Sequence, residues 1–336
     1  MDVQGMKCLW LEQQKLFFKE KVPIPVLKEG QALIQILLAG ICSTDLELLR
    51  GYYPFSGIPG HEFVGTVVAS PENPTWIGKR VVGEINIACG FCHNCIMGLT
   101  SHCEYRKTLG IHDWNGVFTE YVALPLTNLH AVPDHVPDEM AVFTEPLAAA
   151  QEILEQTIIQ ATDRVLIIGA GRLGLLAAMV IQLTGCELDV VIRSLKQKIL
   201  LEKLNINTIT LQNKNLKKYD VVIEATGSVD GLTQACKYVR PRGRIILKST
   251  YKGNAEINFS GIVVNEITLI GSRCGSFEPA MRMLGEGRVD PRPLIEAKFP
   301  LEQGVNAFEY AGRQGVLKVL VQPGIDNFTG LSEAEQ

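Results

Sequence analysis

The segment VLIIGAGRLG, residues 165–174, constrains the fold more strongly than any other part of the chain. It spaces three glycines as G-x-G-x-x-G between an apolar strand-like run and an apolar helix-like run. In that context the first glycine permits a tight turn, the second admits a pyrophosphate, and the third lets the helix pack on the strand. A strand–turn–helix unit without a ligand is the alternative interpretation. The predicted dinucleotide-binding residues are Gly169, Ala170, Gly171, Arg172, Leu173 and Gly174.

Strand-like and helix-like runs alternate from about residue 138 onward. VLIIGAG precedes RLGLLAAMVIQLTG, ELDVVIRS precedes LKQKILLEKLN, and YDVVIEATG precedes DGLTQACKYV. This alternation is typical of right-handed crossover units in a parallel sheet. Earlier in the chain, short β-rich runs bounded by Gly, Pro and Asn predict a mainly β region. Because 336 residues are many for one domain, we expect two.

The run YDVVIEATG ends in Thr226 and Gly227. In open α/β sheets, ligands bind in the crevice outside the carboxyl ends of the strands. We therefore predict that Thr226 and Gly227 contact the dinucleotide.

The end of the second strand-like run bears on the choice between NAD and NADP. An NAD site usually has an acidic residue there for the ribose hydroxyls, but Ile192 stands at that position, followed by Arg193, Ser194 and Lys196. Asp189 comes too early, inside the strand. The absence of a carboxylate and the presence of Arg193 slightly favour NADP over NAD. The alternative is that Arg193 stacks on the adenine or faces solvent.

The segment ACGFCHNCIMGLTSHC, residues 88–103, contains four cysteines spaced C-x2-C-x2-C-x7-C. Thiolates at such spacing converge readily on one tetrahedral zinc ion. Disulfides would require an oxidising compartment, and the usual bacterial iron–sulfur spacing differs. Four thiolates leave no open coordination position, so the predicted ion stabilises a lobe and takes no part in chemistry. Its predicted ligands are Cys89, Cys92, Cys95 and Cys103.

Charge and hydropathy argue against nucleic acid or membranes as partners. The net charge is -4 and the pI about 5.9, which gives no electrostatic attraction for nucleic acid or an anionic membrane. The N-terminus lacks the pattern of a signal peptide, and no uninterrupted apolar run reaches about 18 residues. We therefore expect a cytoplasmic protein.

Three short segments, GICSTDLELLRG, GIPGHEFVG and FTEPLAAA, carry further candidates for chemistry. A thiolate, an imidazole and a carboxylate bind zinc with one coordination position left open, as catalytic sites require. Taken singly, a buried cysteine, a histidine in a turn and a carboxylate at a helix start are ordinary. Their coexistence with the cysteine cluster and the glycine motif favours a catalytic zinc site. The candidates are Cys42, Thr44, Asp45, His61, Glu62 and Glu145.

With these motifs in this order, the chain resembles the zinc-dependent medium-chain dehydrogenase/reductase family, which includes alcohol, sorbitol and threonine dehydrogenases. The resemblance covers nearly the whole chain. It comprises Cys-x-Thr-Asp at 42–45, Gly-His-Glu at 60–62, the cysteine cluster, Glu-Pro at 145–146 and Gly-Ala-Gly-Arg-Leu-Gly at 169–174. The Glu-Pro pair is similar to the sorbitol and threonine dehydrogenases rather than to the liver-type alcohol dehydrogenases.

The resemblance implies roles for the candidate metal ligands. Cys42 and His61 would bind the catalytic zinc. Glu62 and Glu145 compete for the remaining protein position, one binding directly and the other through water or by ligand exchange. Asp45 would orient a ligand, in the first instance His61.

The resemblance also implies a proton relay and a substrate pocket. Thr44 would take the proton of the substrate hydroxyl. Glu47 occupies the place where several relatives carry a histidine, so the relay would run through Glu47 or bypass it. Tyr52, Tyr53 and Phe55 would line the pocket or simply pack their loop.

The implied fold is α/β, with a GroES-like, mainly β catalytic domain at 1–147 and 273–336 and an inserted Rossmann domain at 148–272. The implied activity is hydride transfer between an alcohol or polyol, or its carbonyl product, and a nicotinamide dinucleotide, with two zinc ions per chain. A catalytically silent nucleotide-binding protein of the same fold is the alternative. Relatives of this kind are homodimers or homotetramers.

Overall fold

The computed structural model describes residues 5–211, 217–250, 254 and 256–324. Up to residue 160 the strands are β1 (Gly5–Glu12), β2 (Lys15–Pro23), β3 (Gln31–Gly40), β4 (Glu62–Ala69), β5 (Arg80–Gly83), β6 (Asn86–Ile87), β7 (Lys107–Leu109), β8 (Asp113–Trp114), β9 (Tyr121–Pro125) and β10 (Leu129–Ala131). The helices of this part are α1 (Ser43–Leu49), α2 (His93–Ile96), α3 (Asp138–Ala141) and α4 (Thr144–Gln156).

Strands and helices alternate in the next part of the chain. Its elements are β11 (Arg164–Ile168), α5 (Arg172–Gln182), β12 (Glu187–Val191), α6 (Leu195–Lys203), β13 (Asn207–Ile209), β14 (Tyr219–Glu224), α7 (Asp230–Tyr238), β15 (Val239–Leu247), α8 (Phe259–Val264) and β16 (Thr268–Gly271). The remaining elements are α9 (Phe277–Gly285), β17 (Ile295–Pro300), α10 (Gly304–Ala311) and β18 (Lys318–Gln322).

The alternating part forms one parallel sheet with the strand order β13-β12-β11-β14-β15-β16. This is the strand order of the doubly wound dinucleotide-binding fold. In that fold, successive strands are added first on one side of the first strand, here β11, and then on its other side. The side chains of Val165, Leu166, Ile167 and Ile168 in β11 are all buried, as expected for a strand covered by helices on both faces. The predicted α/β class is confirmed.

Two glycines of the G-x-G-x-x-G motif are required by backbone contacts. Gly169 has φ +113°, and a Cβ there would lie 2.4 Å from the carbonyl oxygen of Ala225. A Cβ on Gly174 would lie 1.7 Å from the carbonyl oxygen of Gly169. Any larger residue would push α5 away from β11 and β14, so these glycines set how closely the helix approaches the sheet.

The mainly β part forms a mixed sheet with the order β10-β5-β4-β3-β18-β17, and β9 pairs with β3 outside this path. Its last two strands, β18 and β17, come from the C-terminal part of the chain, and β18 pairs antiparallel with β3. The segment after the parallel sheet therefore returns to complete the sheet that the N-terminal part began.

The two parts share a hydrophobic core, which connects them through α4. This core contains Val165 and Ile223 of the parallel sheet together with Leu38 and Val64 of the mixed sheet. Helix α4 crosses from one part to the other and buries apolar side chains such as Leu147 along its length. Helix α4 therefore packs as part of both units.

Candidate active site

Cys42, His61 and Glu62 come together where β3 ends and β4 begins. Cys42 is the N-cap of α1, directly after β3, and Gly40 of β3 pairs with Glu62 of β4. One ligand atom from each of the three residues lies within 4.8 Å of the others. A Cβ on Gly40 would lie 2.5 Å from Oε2 of Glu62, so the glycine makes room for the carboxylate. One sulfur, one nitrogen and one oxygen donor suit a zinc site with an open fourth position.

Asp45 lies beneath this cluster and contacts two of its members. Its Oδ2 accepts a hydrogen bond from the backbone N–H of Cys42 at 2.8 Å, and its Oδ1 lies 3.4 Å from Nδ1 of His61. Burial opposes protonation of His61, but the Asp45 carboxylate and Cys42 together outweigh it and raise the pKa of the imidazole. With Nδ1 turned to Asp45, Nε2 of His61 remains for a metal ion, an arrangement typical of metal-bound histidines.

The carboxylate of Glu62 forms an ion pair with Lys318 of β18. Both side chains are buried, at 1% and 3% exposure, and the Lys318 ammonium lies 5.5 Å from the ring centre of Phe143. The ammonium neutralises a carboxylate that has little access to water. The sequence does not predict this role for Lys318, because a single lysine at the start of a C-terminal strand gives no signal.

Glu145 lies beside the cluster without joining it. It is in the first turn of α4 and is half-buried, and the converging ligand atoms are those of Cys42, His61 and Glu62. The pKa of Glu145 is raised to about 7. Desolvation is the main cause, the charge of Glu62 also raises this pKa, and His61 opposes the rise. Of the two carboxylates left open by the sequence, the geometry favours Glu62 as the direct ligand.

The two residues predicted for the proton relay lie on α1. The Oγ1 of Thr44 is 3.8 Å from Sγ of Cys42, so its hydroxyl adjoins the metal-ligand cluster. Glu47 is one helical turn further on and accepts a hydrogen bond from Arg50 at 2.5 Å. Its side chain is 40% exposed. Glu47 thus reaches solvent one helical turn from Thr44 and is held by Arg50.

The cysteine cluster has the dimensions of a tetrahedral zinc site. Its Sγ–Sγ distances are 3.9 Å for Cys89–Cys95, 3.4 Å for Cys92–Cys95 and 3.9 Å for Cys92–Cys103. Four thiolates bound to zinc at about 2.3 Å would be about 3.8 Å apart. All nine cysteines of the chain are free thiols. A hydrogen bond from the N–H of Glu104 lowers the pKa of Cys92, whereas burial and the adjacent Cys92 raise the pKa of Cys95 to about 12, so Cys92 ionises more readily than its neighbour.

The start of α5 fits the pyrophosphate of a dinucleotide. Gly171 is the N-cap of α5, and a Cβ built there would meet no atom within 4 Å. The space in front of the helix N-terminus is therefore free for an anionic group, which the helix dipole favours.

The side chain of Arg172 points away from this space. Its guanidinium donates to the hydroxyl of Ser43 at 3.0 Å and to the carbonyl oxygens of Ala311 at 2.6 Å and Leu317 at 2.5 Å. Only the backbone of Arg172 lies in the glycine-rich turn. The sequence motif includes this residue, but its side chain in the structure joins α5 to the mainly β part.

Arg193 and Ser194 lie at the end of β12, where the adenosine end of a dinucleotide is expected. Ser194 caps α6 by accepting a hydrogen bond from the N–H of Gln197 at 3.3 Å. The side chain of Arg193 is exposed, and within the described ranges it forms no ion pair. Its guanidinium is therefore available to a ligand.

The other charged residues near this strand end are already engaged. Oδ2 of Asp189 accepts a hydrogen bond from the hydroxyl of Tyr219 at 2.7 Å, so this carboxylate faces the sheet neighbours. The Lys196 ammonium lies 2.6 Å from Oε1 of Glu296 in β17. Among the described residues at this strand end, Arg193 is the basic group without an acidic partner.

Thr226 and Gly227 follow β14 at the edge where the glycine-rich turn also lies. The buried carboxylate of Glu224 accepts hydrogen bonds from the N–H and the hydroxyl of Thr226, at 2.8 and 2.6 Å. The N–H of Gly227 donates to the hydroxyl of Ser249 at 2.8 Å. The Thr226 side chain is thus committed to shaping the turn, while the turn itself borders the crevice.

Lys248 is a buried residue that sequence reasoning missed. Its ammonium donates to the carbonyl oxygens of Ala149 at 2.7 Å and Arg273 at 3.0 Å, and to the hydroxyl of Ser272 at 3.0 Å. Burial lowers its pKa to about 8. Lys248 thereby links the end of β15 to α4 and to the segment after β16, which are the two connections between the two parts of the chain. The sequence signal is a charged residue at the end of the apolar run IIL, residues 245–247.

Comparison with known proteins agrees with this architecture. Residues 28–134 match the family described as "Alcohol dehydrogenase GroES-like domain", and residues 173–286 match "Zinc-binding dehydrogenase". The sorbitol dehydrogenase of Halalkalibacterium halodurans is 30% identical over 330 residues, which cover 91% of this chain and 96% of that protein.

Two solved structures share the fold over almost the whole chain. A dehydrogenase from Escherichia coli CFT073, complexed with NADH, has a TM-score of 0.88 at 26% identity and covers 94% of this chain and 99% of its own. A zinc-binding dehydrogenase from Sinorhizobium meliloti 1021, bound to NADP, also has a TM-score of 0.88 at 26% identity, with coverages of 95% and 99%.

The described residues include no helix with the length and hydrophobicity of a membrane span.

The two family matches, the relative aligned over 91% of this chain and the two clusters of metal-ligating side chains all indicate one family. The chain belongs to the zinc-dependent medium-chain dehydrogenase/reductase family, and with it to the oxidoreductases that use zinc and a nicotinamide cofactor.

Proposed function

We propose that the protein transfers a hydride between an alcohol or polyol and a nicotinamide dinucleotide, at a zinc site formed by Cys42, His61 and Glu62. The observation that carries the proposal is the convergence of these three donor atoms within 4.8 Å. Zinc supplies, when bound, a Lewis acid for the substrate oxygen. The alternative of a catalytically silent protein has no support, because each ligand that such a protein could lose is present.

The residues around the metal-ligand cluster have separate roles. Asp45 holds Cys42 and His61 in position, and Lys318 neutralises Glu62. Thr44 receives the proton of the substrate hydroxyl. The proton then passes to solvent through Glu47 or by a route that bypasses Glu47. Positioning of the reacting groups and control of their charge are the contributions of the protein, whereas the cofactor carries the redox chemistry.

We propose that a second zinc ion is bound by the four clustered cysteines and stabilises their lobe. We also propose domain limits of 1–147 with 273–336 for the catalytic domain and 148–272 for the Rossmann domain. Helix α4 spans the first of these limits.

We propose a homodimer formed through β16, with a homotetramer as the alternative. In the described part of the parallel sheet, β16 is an edge strand, and an edge strand presents unpaired backbone groups to a second chain. The preceding helix α8 exposes Phe259, Val263 and Val264. A two-fold axis would pair β16 with its own copy and cover these side chains.

A substrate screen tests the proposed function. Zinc-loaded protein should reduce NAD or NADP in the presence of alcohols or polyols, as read from the nicotinamide absorbance. Mild chelation should stop turnover before the protein unfolds, and added zinc should restore it, because only the catalytic ion has an exchangeable position. Turnover that survives removal of all metal would contradict the proposal.

The cofactor preference depends on Arg193. We expect NADP to bind more tightly than NAD by about tenfold to a hundredfold at most, since a charge-assisted hydrogen bond is worth about 1.5–3 kcal/mol. Arg193→Ala should remove most of this difference, and high salt should narrow it. Fluorescence titration with both cofactors measures the ratio.

Lys198→Ala is the matched control, because it removes one positive charge from α6, the helix that follows Arg193, where Lys198 lies 3.7 Å from Glu202. The control should leave the ratio unchanged. If wild type prefers NAD and Arg193→Ala weakens both cofactors equally, Arg193 only stacks on the adenine.

A further inference from the structure

The side chain of Arg172 contacts the sequence neighbours of two residues at the candidate metal site. Its Nη1 donates to the hydroxyl of Ser43 at 3.0 Å, and Ser43 directly follows Cys42. Its Nε donates to the carbonyl oxygen of Leu317 at 2.5 Å. Leu317 directly precedes Lys318, whose ammonium pairs with the carboxylate of the metal-ligand cluster. One guanidinium therefore holds two chain segments that carry groups of this site.

The third contact of the guanidinium is with the end of α10. Its Nη2 donates at 2.6 Å to the carbonyl oxygen of Ala311, the last residue of that helix. Carbonyl groups in the last turn of a helix lack an intrahelical partner, and a positive charge is favourable there. The three nitrogens thus bind three separate segments in the directions that a planar guanidinium imposes. We call these three contacts the Arg172 bridge.

The backbone of Leu317 is held on both sides. Its carbonyl oxygen accepts from Arg172, and its N–H donates to the carboxylate of Glu296 in β17. The ammonium of Lys196 in α6 lies 2.6 Å from Oε1 of Glu296. The position of the segment before β18 therefore depends on α5 directly and on α6 through Glu296.

A positive side chain at the first position of α5 is locally unfavourable. The N-terminus of a helix is the positive end of its dipole, and the first turn of α5 contains no acidic residue. Burial lowers the pKa of Arg172, and the first of the groups that oppose this lowering are Cys42 and Glu62. The guanidinium is thus within electrostatic reach of the metal-ligand cluster. Its local costs are offset by contacts with the other part of the chain, as expected at a functional position.

The backbone of Arg172 belongs to the dinucleotide site. Gly171 is the N-cap of α5, so Arg172 is the first helical residue, and the N–H groups of this turn have no acceptor within the helix. They face the open space in front of Gly171, where a diphosphate fits. A bound diphosphate would fix this turn, and the Arg172 bridge would then fix the segments beside the metal-ligand cluster.

We propose that Arg172 is a positioning residue that couples the two sites: a diphosphate at the start of α5 and a metal ion at the metal-ligand cluster each increase the affinity for the other. The coupling arises because each ligand fixes groups that the Arg172 bridge also holds. By linkage, the two effects are equal in size. This inference rests on the part of the proposed function that assigns a metal ion to Cys42, His61 and Glu62, and it does not depend on turnover.

The test uses ADP-ribose, which carries the diphosphate but lacks the nicotinamide ring, and its 2′-phosphate, which covers an NADP site. Each is titrated by calorimetry into zinc-loaded protein and into protein from which mild chelation has removed one ion per chain, as checked by metal analysis. We expect the tighter of the two ligands to bind at least about tenfold more tightly to the zinc-loaded protein. Competition with a chelator should give the same ratio for zinc affinity with and without that ligand.

Arg172→Lys keeps the positive charge but cannot direct three donors to three segments, because an ammonium lacks the planar fork. It should reduce the ratio of dissociation constants to about twofold or less. Ser43→Ala removes only the contact beside Cys42, from an exposed position, and should lower the ratio by about threefold. The two variants separate the loss of the whole bridge from the loss of one contact.

Arg164→Gln is the control, because it removes one positive charge at the opposite end of β11, where Arg164 lies 3.4 Å from Glu187. It should leave the ratio unchanged.

The proposal is overturned if wild type binds both ligands equally well with and without the exchangeable zinc ion. It is also overturned if Arg172→Lys keeps the full ratio, since charge alone would then be the cause. If Arg172→Lys does not fold, an unchanged ratio in Ser43→Ala overturns it instead. A ratio near one with normal turnover of an alcohol would contradict the coupling alone, whereas the expected ratio without turnover would support the coupling and count against the proposed function.

Discussion

Cys42→Ser should lower kcat by about a thousandfold or more and remove one zinc ion from each chain. A hydroxyl is a far weaker zinc ligand than a thiolate, and the Lewis acid it would hold is worth several kcal/mol of transition-state stabilisation. About 4 kcal/mol corresponds to that loss of rate. The melting temperature should change little, because Cys42 lies at the start of the short helix α1 and its metal site is open. Turnover kinetics, metal analysis and calorimetric melting measure the three effects.

Cys95→Ser is the matched control, with the same substitution in the other cluster. It should also remove one zinc ion, but by opening a closed four-thiolate site it should lower the stability of the lobe. kcat of the folded protein should persist, because the donors of the catalytic site, Cys42, His61 and Glu62, form a separate cluster. If Cys42→Ser and Cys95→Ser gave the same losses, the division into a catalytic and a stabilising site would be wrong.

Lys318→Met should destabilise the metal-free protein by about 3–5 kcal/mol, the usual cost of leaving one charge of a buried pair without its partner. Glu62 and Lys318 are both almost fully buried, so water cannot replace the lost ammonium. With zinc bound to Glu62, the loss should be smaller, because the ion supplies positive charge in place of the lysine. Urea denaturation with and without zinc gives the two values.

The double variant Glu62→Gln/Lys318→Met separates the ion pair from the packing of the lysine stem. Without metal it should be more stable than Lys318→Met alone, since no uncompensated charge remains. A loss below about 1 kcal/mol for Lys318→Met, or a double variant no more stable than the single one, would show that the ion pair is unimportant.

Residue type and spacing predict the features that depend on neighbours in the chain. The spacing of Gly169 and Gly174 predicts the strand–turn–helix unit, because any Cβ at these positions would strike the backbone of the turns that follow β11 and β14. The four cysteines between residues 89 and 103 form their cluster within one short lobe. In both cases the constraint is local, so residue type and spacing suffice to predict it.

Contacts between residues that are distant in sequence depend instead on how the strands pair and pack. The sequence left Glu62 and Glu145 open, and the register that pairs Gly40 with Glu62 brings the first of them to Cys42. Lys318 reaches Glu62 across 256 residues because β18 pairs with β3.

Two further contacts that the sequence does not predict, those of Arg172 and Arg273, have the same cause. Arg172 belongs to the glycine motif in sequence, yet its side chain bonds the opposite part of the chain, and Arg273 meets Ser101 across 172 residues. Strand pairing and core packing set these encounters. They involve every part of the chain at once, and no local pattern of residues encodes them.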